Sequence, residues 1–483
     1  MTYPNVLVLD YLKSTNQSTP ELEMKAEEYI NLGYQRLVVF EVDGGGFSLY
    51  GDPPARLFLS AYGLMEISDM AEVYPVDEAM IERTARWLAQ QQAGDGSWSS
   101  EDYRVAGQQL ATTAYVTWAL AESDVADEAA VAKGITYLKE HYTEVKDGYS
   151  ASLVANAMVA WDPKDSFTQK VLDDLVSQAI EDDPSTGSGQ GGAVYWQSGV
   201  ESFMGAKSQM GSIETTAMAA YALLKGDAHP DVANKALTYL VRNKDSFGTW
   251  STTQATILSL RALIESAKAG EPTEQVTVRV SLNGEEADPI QVTPENFDVV
   301  QLVTFTDRAV EGENRVRIEV EGKGNLMYQV TARYYVPWEL VPPEEKEAMT
   351  IDVRYDRTDL QVDDTVRVDV TAKLNLEGTA KMVVLDLGIP PGFEVEAEDL
   401  SARVQQDLQK GQEYPGATVK RFDLTGRQII VYLANLRYGE PISFHYGLRA
   451  KYPLRVKTPA STAYDYYNPD QVGVAQPQVV AVE

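Results

Sequence analysis

Residues 81–98 read IERTARWLAQQQAGDGSW, and residues 111–121 read ATTAYVTWALA. The first is an amphipathic helical pattern that ends in an Asp-Gly turn and an aromatic residue, Trp98, whereas the second is apolar on nearly every side. An amphipathic helix covers a core with one face, but a helix apolar around its whole circumference has to be buried. The pair therefore predicts an outer helix followed by an inner one. Comparable aromatic marks, mostly beside glycine, end at Phe47, Tyr149, Trp196 and Trp250. The five marks fall about 50 residues apart, a period that signals repeated supersecondary units. Amphipathic stretches lie at residues 76–92, 127–142 and 231–242, and apolar ones at 57–67, 150–161, 212–224 and 252–267. With residues 4–12 as one more inner helix, about eleven helices are expected, one short of six pairs. The predicted fold of residues 1–269 is an α/α-toroid of the six-hairpin type with its first helix missing. The ring is expected to stand open where an outer helix ahead of Met1 would complete it.

From residue 270 the period becomes two. QVTVRVSLNG (275–284), VVQLVTFT (299–306), NRVRIEVEG (314–322) and MYQVTARYYVP (327–337) alternate apolar and polar residues, with Asn-Gly and Gly-Glu-Asn turns between them. They predict a small antiparallel β-unit over residues 270–338. Residues 339–347, with Pro342-Pro343 and four Glu, read as a linker. Residues 348–483 carry six further short strand patterns and one short helix at 400–409, the signature of a β-sandwich.

Composition narrows the function. A net charge of −31 argues against a basic face for nucleic acid or anionic membrane. No apolar run approaches a membrane span, and residues 1–15 carry no signal-peptide pattern. The absence of cysteine excludes disulfides, thiolate metal sites and a cysteine nucleophile within these residues. His141, His229 and His445 are scattered, whereas zinc needs three or four converging ligands, so no metal is expected. The acidic strings SDVADE (123–128) and QVDDT (361–365) fit helix capping and turn formation. Asp95 and Asp147 precede glycine in the repeat turns, which explains them as turn residues. STGSGQGG (185–192) lacks the lysine and preceding strand of a phosphate loop and reads as a plain loop. Trp87, Trp98, Tyr62 and Tyr115 could face a central pocket, although core packing accounts for most such aromatics. No acid, base and nucleophile converge, and no cofactor motif appears.

The order and wording of several segments nevertheless resemble one family over nearly the whole chain. YPNVLVLDYLKST (3–15), GYQRLVVFE (33–41), GGGFSLYG (44–51), LSAYGLMEISDM (59–70) and WLAQQQAGDGSW (87–98) are similar to successive signatures of the thioester domain of the alpha-2-macroglobulin and complement family, in its bacterial branch. MYQVTARYYVPW (327–338) resembles the end of its CUB-type domain. MVVLDLGIPPGF (382–393), VYLANL (431–436) and AYDYYNPD (463–470) resemble its receptor-binding domain, a macroglobulin-type β-sandwich. The resemblance implies a C-terminal fragment of a protease-trapping inhibitor, not an enzyme. Its Cys-x-x-Gln thioester would lie just upstream of Met1, so neither thioester residue is in this chain. Tyr3, Tyr62, Trp98 and Tyr115 are then candidates to line the pocket around that group. The implied partners are attacking proteases and the parent's N-terminal macroglobulin domains, and the implied location is periplasmic, cell-surface or secreted. The family's hydroxyl-directing histidine is missing from residues 99–110, which implies a preference for amines. Two other readings stand beside this one: a thioester-less scaffold of the same architecture, and a toroid glycosidase or lyase with a carboxylate-lined groove.

Overall fold

The computed structural model describes residues 2–15, 18–49, 51–99, 109–123, 125, 127–182, 192–245, 248–269, 275–293, 296, 301–306, 308–322, 328, 330–332, 347–411 and 414–483. The chain divides into two compact units, Met1–Val330 and Thr331–Glu483.

The first unit opens with eleven α-helices among the described residues: α1 (Thr2–Ser14), α2 (Pro20–Leu37), α3 (Leu57–Ala71), α4 (Glu78–Gln90), α5 (Gln109–Glu122), α6 (Glu128–His141), α7 (Gly148–Trp161), α8 (Ser166–Ser177), α9 (Ser208–Lys225), α10 (Pro230–Arg242) and α11 (Thr253–Ala269). Two short strands, β1 (Ile180–Asp182) and β2 (Ala193–Tyr195), pair between α8 and α9. Burial follows the sequence pattern. In α5 every residue from Ala111 to Leu120 is buried, whereas α4 buries only Met80, Ile81, Thr84, Ala85 and Leu88. The odd-numbered helices form the inner layer, each packed against the next, and α11 returns to pack against α1. The ring expected to stand open is thus closed in its inner layer. Among the described residues the shortfall is in the outer layer, where α2, α4, α6, α8 and α10 make five helices against six inner ones.

The aromatic marks fasten the layers together. Trp98 donates its indole Nε1–H to Leu88 O near the end of α4, and Trp196 and Trp250 do the same to Leu175 O of α8 and Leu240 O of α10, each at 2.7 Å. The backbone N–H of four of the five marks donates to a hydroxyl of the following inner helix: Phe47 to Ser60, Trp98 to Thr113, Trp196 to Thr216 and Trp250 to Thr256, whereas Tyr149, inside α7, donates to Ser198 O. At Trp98, Trp196 and Trp250 one aromatic residue therefore closes an outer helix and receives the next inner one. Gly96, two residues before Trp98, takes φ +91, and a Cβ there would stand 2.4 Å from Lys133 O, so the turn requires glycine. Asp147 caps α7 through Ser150 N at 2.8 Å, and Asp95 accepts from Ser97 N at 3.0 Å.

After α11 come β3 (Val276–Leu282), β4 (Glu285–Glu286), β5 (Ile290–Val292) and β6 (Val316–Glu321), all paired with β3. Val278, Val280 and Leu282 stand opposite Val320, Ile318 and Val316, which builds one apolar face. Val316 and Val320 on that face are 37% and 45% exposed. The strand expected at 299–306 is absent from its described part, residues 301–306, where Leu302 is 87% exposed. An alternating pattern without a partner strand buries nothing, and the shorter β4 and β5 take the pairing instead. Most of the strand read at 327–337 and of the linker at 339–347 lies outside the described residues, as does most of the glycine-rich stretch at 185–192.

The second unit holds β7 (Met349–Tyr355), β8 (Asp359–Leu360), β9 (Thr365–Leu374), β10 (Thr379–Gly388), β11 (Phe393–Glu396), α12 (Glu398–Leu408), β12 (Thr418–Leu424), β13 (Gln428–Arg437), β14 (Ile442–Ala450), β15 (Leu454–Lys457), β16 (Ser461–Asp465), β17 (Asn468–Ala475) and β18 (Val479–Val482). A five-stranded sheet in the order β12-β13-β10-β16-β17 and a four-stranded one in the order β11-β14-β9-β7 share a core of alternating residues such as Val366, Val368, Val383, Leu385, Val431 and Leu448. Asp407, buried at the end of α12, takes Arg403 Nε and Val419 N–H at 2.8 Å and Lys410 Nζ at 2.6 Å. Burial acts to raise its pKa, but Lys410, Val419 N–H and Arg403 outweigh that and hold it below the usual range.

Two predictions follow from these contacts. Thr113→Val and Thr216→Val keep the side-chain shape but strand the N–H of Trp98 or Trp196, so each is expected to cost about 1–3 kcal/mol in urea unfolding. Asp407→Ala is expected to cost the second unit about 3 kcal/mol at neutral pH. Because the folded pKa of Asp407 is lowered, that difference is fully present above the unfolded value and shrinks as pH falls through the folded one, which a pH series of melts will read.

Candidate functional site

Among the charged residues on the otherwise apolar inner helices are Glu66 and Asp69 on α3, Glu122 on α5, Glu214 on α9 and Arg261 on α11. A charge inside a packed ring is costly unless it finds partners. Arg261, 6% exposed, finds several. Its Nη1 donates to Glu122 Oε2 at 2.8 Å, and its Nη2 reaches Tyr3 Oη at 2.5 Å and Asp69 Oδ2. Tyr3 in turn donates its phenolic proton to Asp69 Oδ2 at 2.6 Å, and Tyr221 Oη donates to Glu122 Oε1 at 3.1 Å. The guanidinium also lies 5.6–6.0 Å from the ring centres of Tyr3, Trp118 and Tyr221. Burial alone would lower the pKa of Arg261, but Asp69, Tyr3 and Glu122 hold it charged, well above its ordinary value. For Glu122, burial acts upward and is outweighed by Arg261, so its carboxyl stays below the usual range. One cation thus joins α1, α3, α5, α9 and α11 at the centre of the ring.

Aromatic rings fill the space beside it. Tyr3 meets Tyr62 edge-on at 5.8 Å, and Phe203, from the segment before α9, packs on Tyr115 at 5.4 Å and Tyr149 at 5.7 Å. A cavity of about 10 Å³ remains, lined by Tyr3, Tyr62, Met65, Tyr115, Trp118, Gln254, Ile257, Leu258 and Arg261. That is room for about one water molecule. The phenols of Tyr3, Tyr62 and Tyr115 are all raised above 10, first of all by burial, so each remains a protonated hydrogen-bond donor at neutral pH and none serves as a phenolate nucleophile.

Three of the four aromatics singled out in the sequence, Tyr3, Tyr62 and Tyr115, therefore share one cavity. Trp98 is not among the lining residues. It is wholly buried against α4 and α5 as a layer anchor, since its indole N–H is spent on Leu88 O. Most of the histidine-free stretch at 99–110 lies outside the described residues. Sequence reasoning missed Trp118, Phe203 and the charged set around Arg261. The available signal was a single charged letter inside an otherwise apolar run, as in ATILSLRALI (255–264).

Among the described residues Glu66 and Glu214 have no such cation, and burial pushes the carboxyl of each up to about 7. Glu214 is 1% exposed, and its Oε1 has no hydrogen-bond partner among the described residues. A carboxyl raised in the folded state costs stability as pH rises from the unfolded value to the folded one, and the full cost persists above it. Glu214→Gln is therefore expected to gain stability relative to the unaltered chain, by about 2–3 kcal/mol, as pH rises from about 5 to about 8. Paired thermal melts across that range check it, and a difference that stays flat with pH would contradict it.

The first unit is thus a closed α/α-toroid with a packed aromatic centre, followed by β-units. The family model for the A-macroglobulin TED domain matches residues 1–266, and that for the A-macroglobulin receptor binding domain matches residues 378–477. The chain belongs to the alpha-2-macroglobulin family. Among its relatives, thioester-containing protein 1 allele R1 of Anopheles gambiae is 23% identical over 479 residues, covering 96% of this chain and 33% of that protein. Ovostatin of Gallus gallus is 22% identical over 498 residues, covering 98% of this chain and 32% of ovostatin. The chain thus spans about a third of the length of these relatives. The native alpha-2-macroglobulin of Escherichia coli, solved from domain MG7 to the C-terminus, superposes with a TM-score of 0.61 at 16% identity over 100% of this chain and 72% of that one. Salmonella alpha-2-macroglobulin reacted with methylamine gives a TM-score of 0.61 at 16% identity, over 100% of this chain and 29% of that one.

Proposed function

We propose that this chain is the C-terminal part of a protease-trapping protein, and that its parent carries a Cys-x-x-Gln thioester just ahead of residue 1. In this reading an attacking protease cuts a bait segment elsewhere in the parent and the thioester is uncovered. A lysine amine of the protease then attacks the thioester carbonyl. The C–N bond of an amide forms, the C–S bond breaks with its electron pair leaving on sulfur, and the amine's surplus proton is taken up by the thiolate. The sequence holds no cysteine, so the donor itself is not within residues 1–483.

The seating of α1 is the observation that carries the reading. The helix that would follow the donor starts at Thr2 against the aromatic centre, with Tyr3 buried beside Tyr62. In this reading an acyl donor just ahead of that helix is shielded from water until the parent changes shape. A cavity of about 10 Å³ at the centre also supports an inhibitor over a toroid glycosidase, which needs room for a sugar. The exposed Val316 and Val320 support reading residues 270–338 as the C-terminal part of a CUB-like domain, completed by strands from elsewhere in the parent. Such a protein works where it meets foreign proteases: in the periplasm, at the cell surface or after secretion. Among the described residues, no helix is long and apolar enough to cross a membrane.

The test is intact-mass spectrometry of the full-length native gene product, freshly purified, with and without methylamine. We expect a longer chain that gains one methylamine and releases one thiol. A product that gains none and releases none sinks the trap and leaves a thioester-less scaffold of the same architecture.

A further inference from the structure

Tyr3 is the buried side chain nearest the start of α1 with a directional tie to the rest of the ring. It uses its hydroxyl twice, donating to Asp69 and accepting from Arg261. At the other end of α1, Lys13 Nζ donates to Val73 O at 3.1 Å. Between them Val6, Leu7 and Leu9 lie with Met70 and Ile257, and the half-exposed Asp10 pairs with Lys268 Nζ at 3.6 Å. Apolar contacts resist separation but tolerate sliding, whereas a charge-assisted hydrogen bond fixes orientation. Arg261 is braced from the far side by Glu122, itself held by Tyr221, so the phenol of Tyr3 is clamped by groups from four other inner helices.

We infer that Arg261 is a positioning residue for the acyl donor: acting through the hydroxyl of Tyr3, it fixes the first turn of α1 and keeps the donor latent until the parent is cut. The inference rests on the trap reading above and adds to it a device for latency. Arginine suits the position because its planar fork reaches two carboxylates and a phenol at once, which a lysine ammonium on a flexible stem does not reproduce. The clamp also keeps its charge balance without the phenol, because Arg261 still faces Asp69 and Glu122.

That separation supplies the experiment. In the full-length native gene product, the rate of methylamine uptake is measured for the unaltered protein, Tyr3→Phe and Arg261→Lys, each before and after proteolytic cutting of the bait. Tyr3→Phe removes one oxygen and leaves the ring and the ion pairs in place, so it remains informative if Arg261→Lys folds poorly. We expect both variants to react faster than the unaltered protein before cutting, by about tenfold, the equivalent of one hydrogen bond to a charged group. After cutting, all three are expected to react at the same rate, because the latency has been lifted. A merely structural role would shift the melting temperature and raise both rates together. Unaltered latency in Tyr3→Phe, or equal acceleration before and after cutting, overturns the inference while leaving the trap in place. An unaltered protein that takes up no methylamine overturns both, and that arm is read first.

Discussion

A helix that is apolar around its whole circumference must be enclosed on every side, and this constraint organises the first unit. The continuous burial of α5, α7 and α9 cannot be met by one neighbouring face. It is met by two flanking inner helices, an outer helix behind and the ring centre in front. Closure follows because an inner layer with a free edge would leave one such helix facing water. The outer helices are under no such demand, and their burial is confined to one stripe.

The same constraint makes the centre of the ring electrostatically demanding. A guanidinium there loses its hydration and is held charged only by two carboxylates and a phenol placed within hydrogen-bond reach. Two other carboxyls, Glu66 and Glu214, have no comparable cation among the described residues, and burial is the largest influence on their protonation. The centre thus contains one compensated cluster and two acids whose protonation burial governs. The aromatic packing gives the centre its dryness, and the ion cluster gives it a fixed geometry. A protein that must hold a reactive group unreacted needs both.

Most of the layered fold was legible in the sequence, because burial on all sides leaves a compositional trace that needs no knowledge of partners. The long strands of the second unit were legible for a similar reason, alternating over seven to ten residues in β7, β9 and β13. The last strands were not, since β15, β16 and β18 span only four or five residues each. The site was half legible. Aromatic residues could be nominated, but which way a ring points depends on its hydrogen-bond partner, and for Trp98 that partner was Leu88 O. The cluster around Arg261 was illegible as a cluster, for its partners lie 139, 192 and 258 residues away along the chain. A lone charge in an apolar helix announces that a partner exists without saying where.

The aromatic staples have a consequence for how such a ring can change over time. From the mark to the hydroxyl that receives it, the chain runs 13 residues at Phe47, 15 at Trp98, 20 at Trp196 and only 6 at Trp250. The two ends of each connection are pinned by the same bond whatever lies between them, so length can vary there without disturbing either layer. Outer and inner helices alternate in direction, which gathers all these connections on one rim, the rim from which α1 also sets out. Insertions and deletions can therefore accumulate around the start of α1 while the barrel beneath stays constant. The molecule has a rim free to diversify what it meets, mounted on a scaffold that does not register the change.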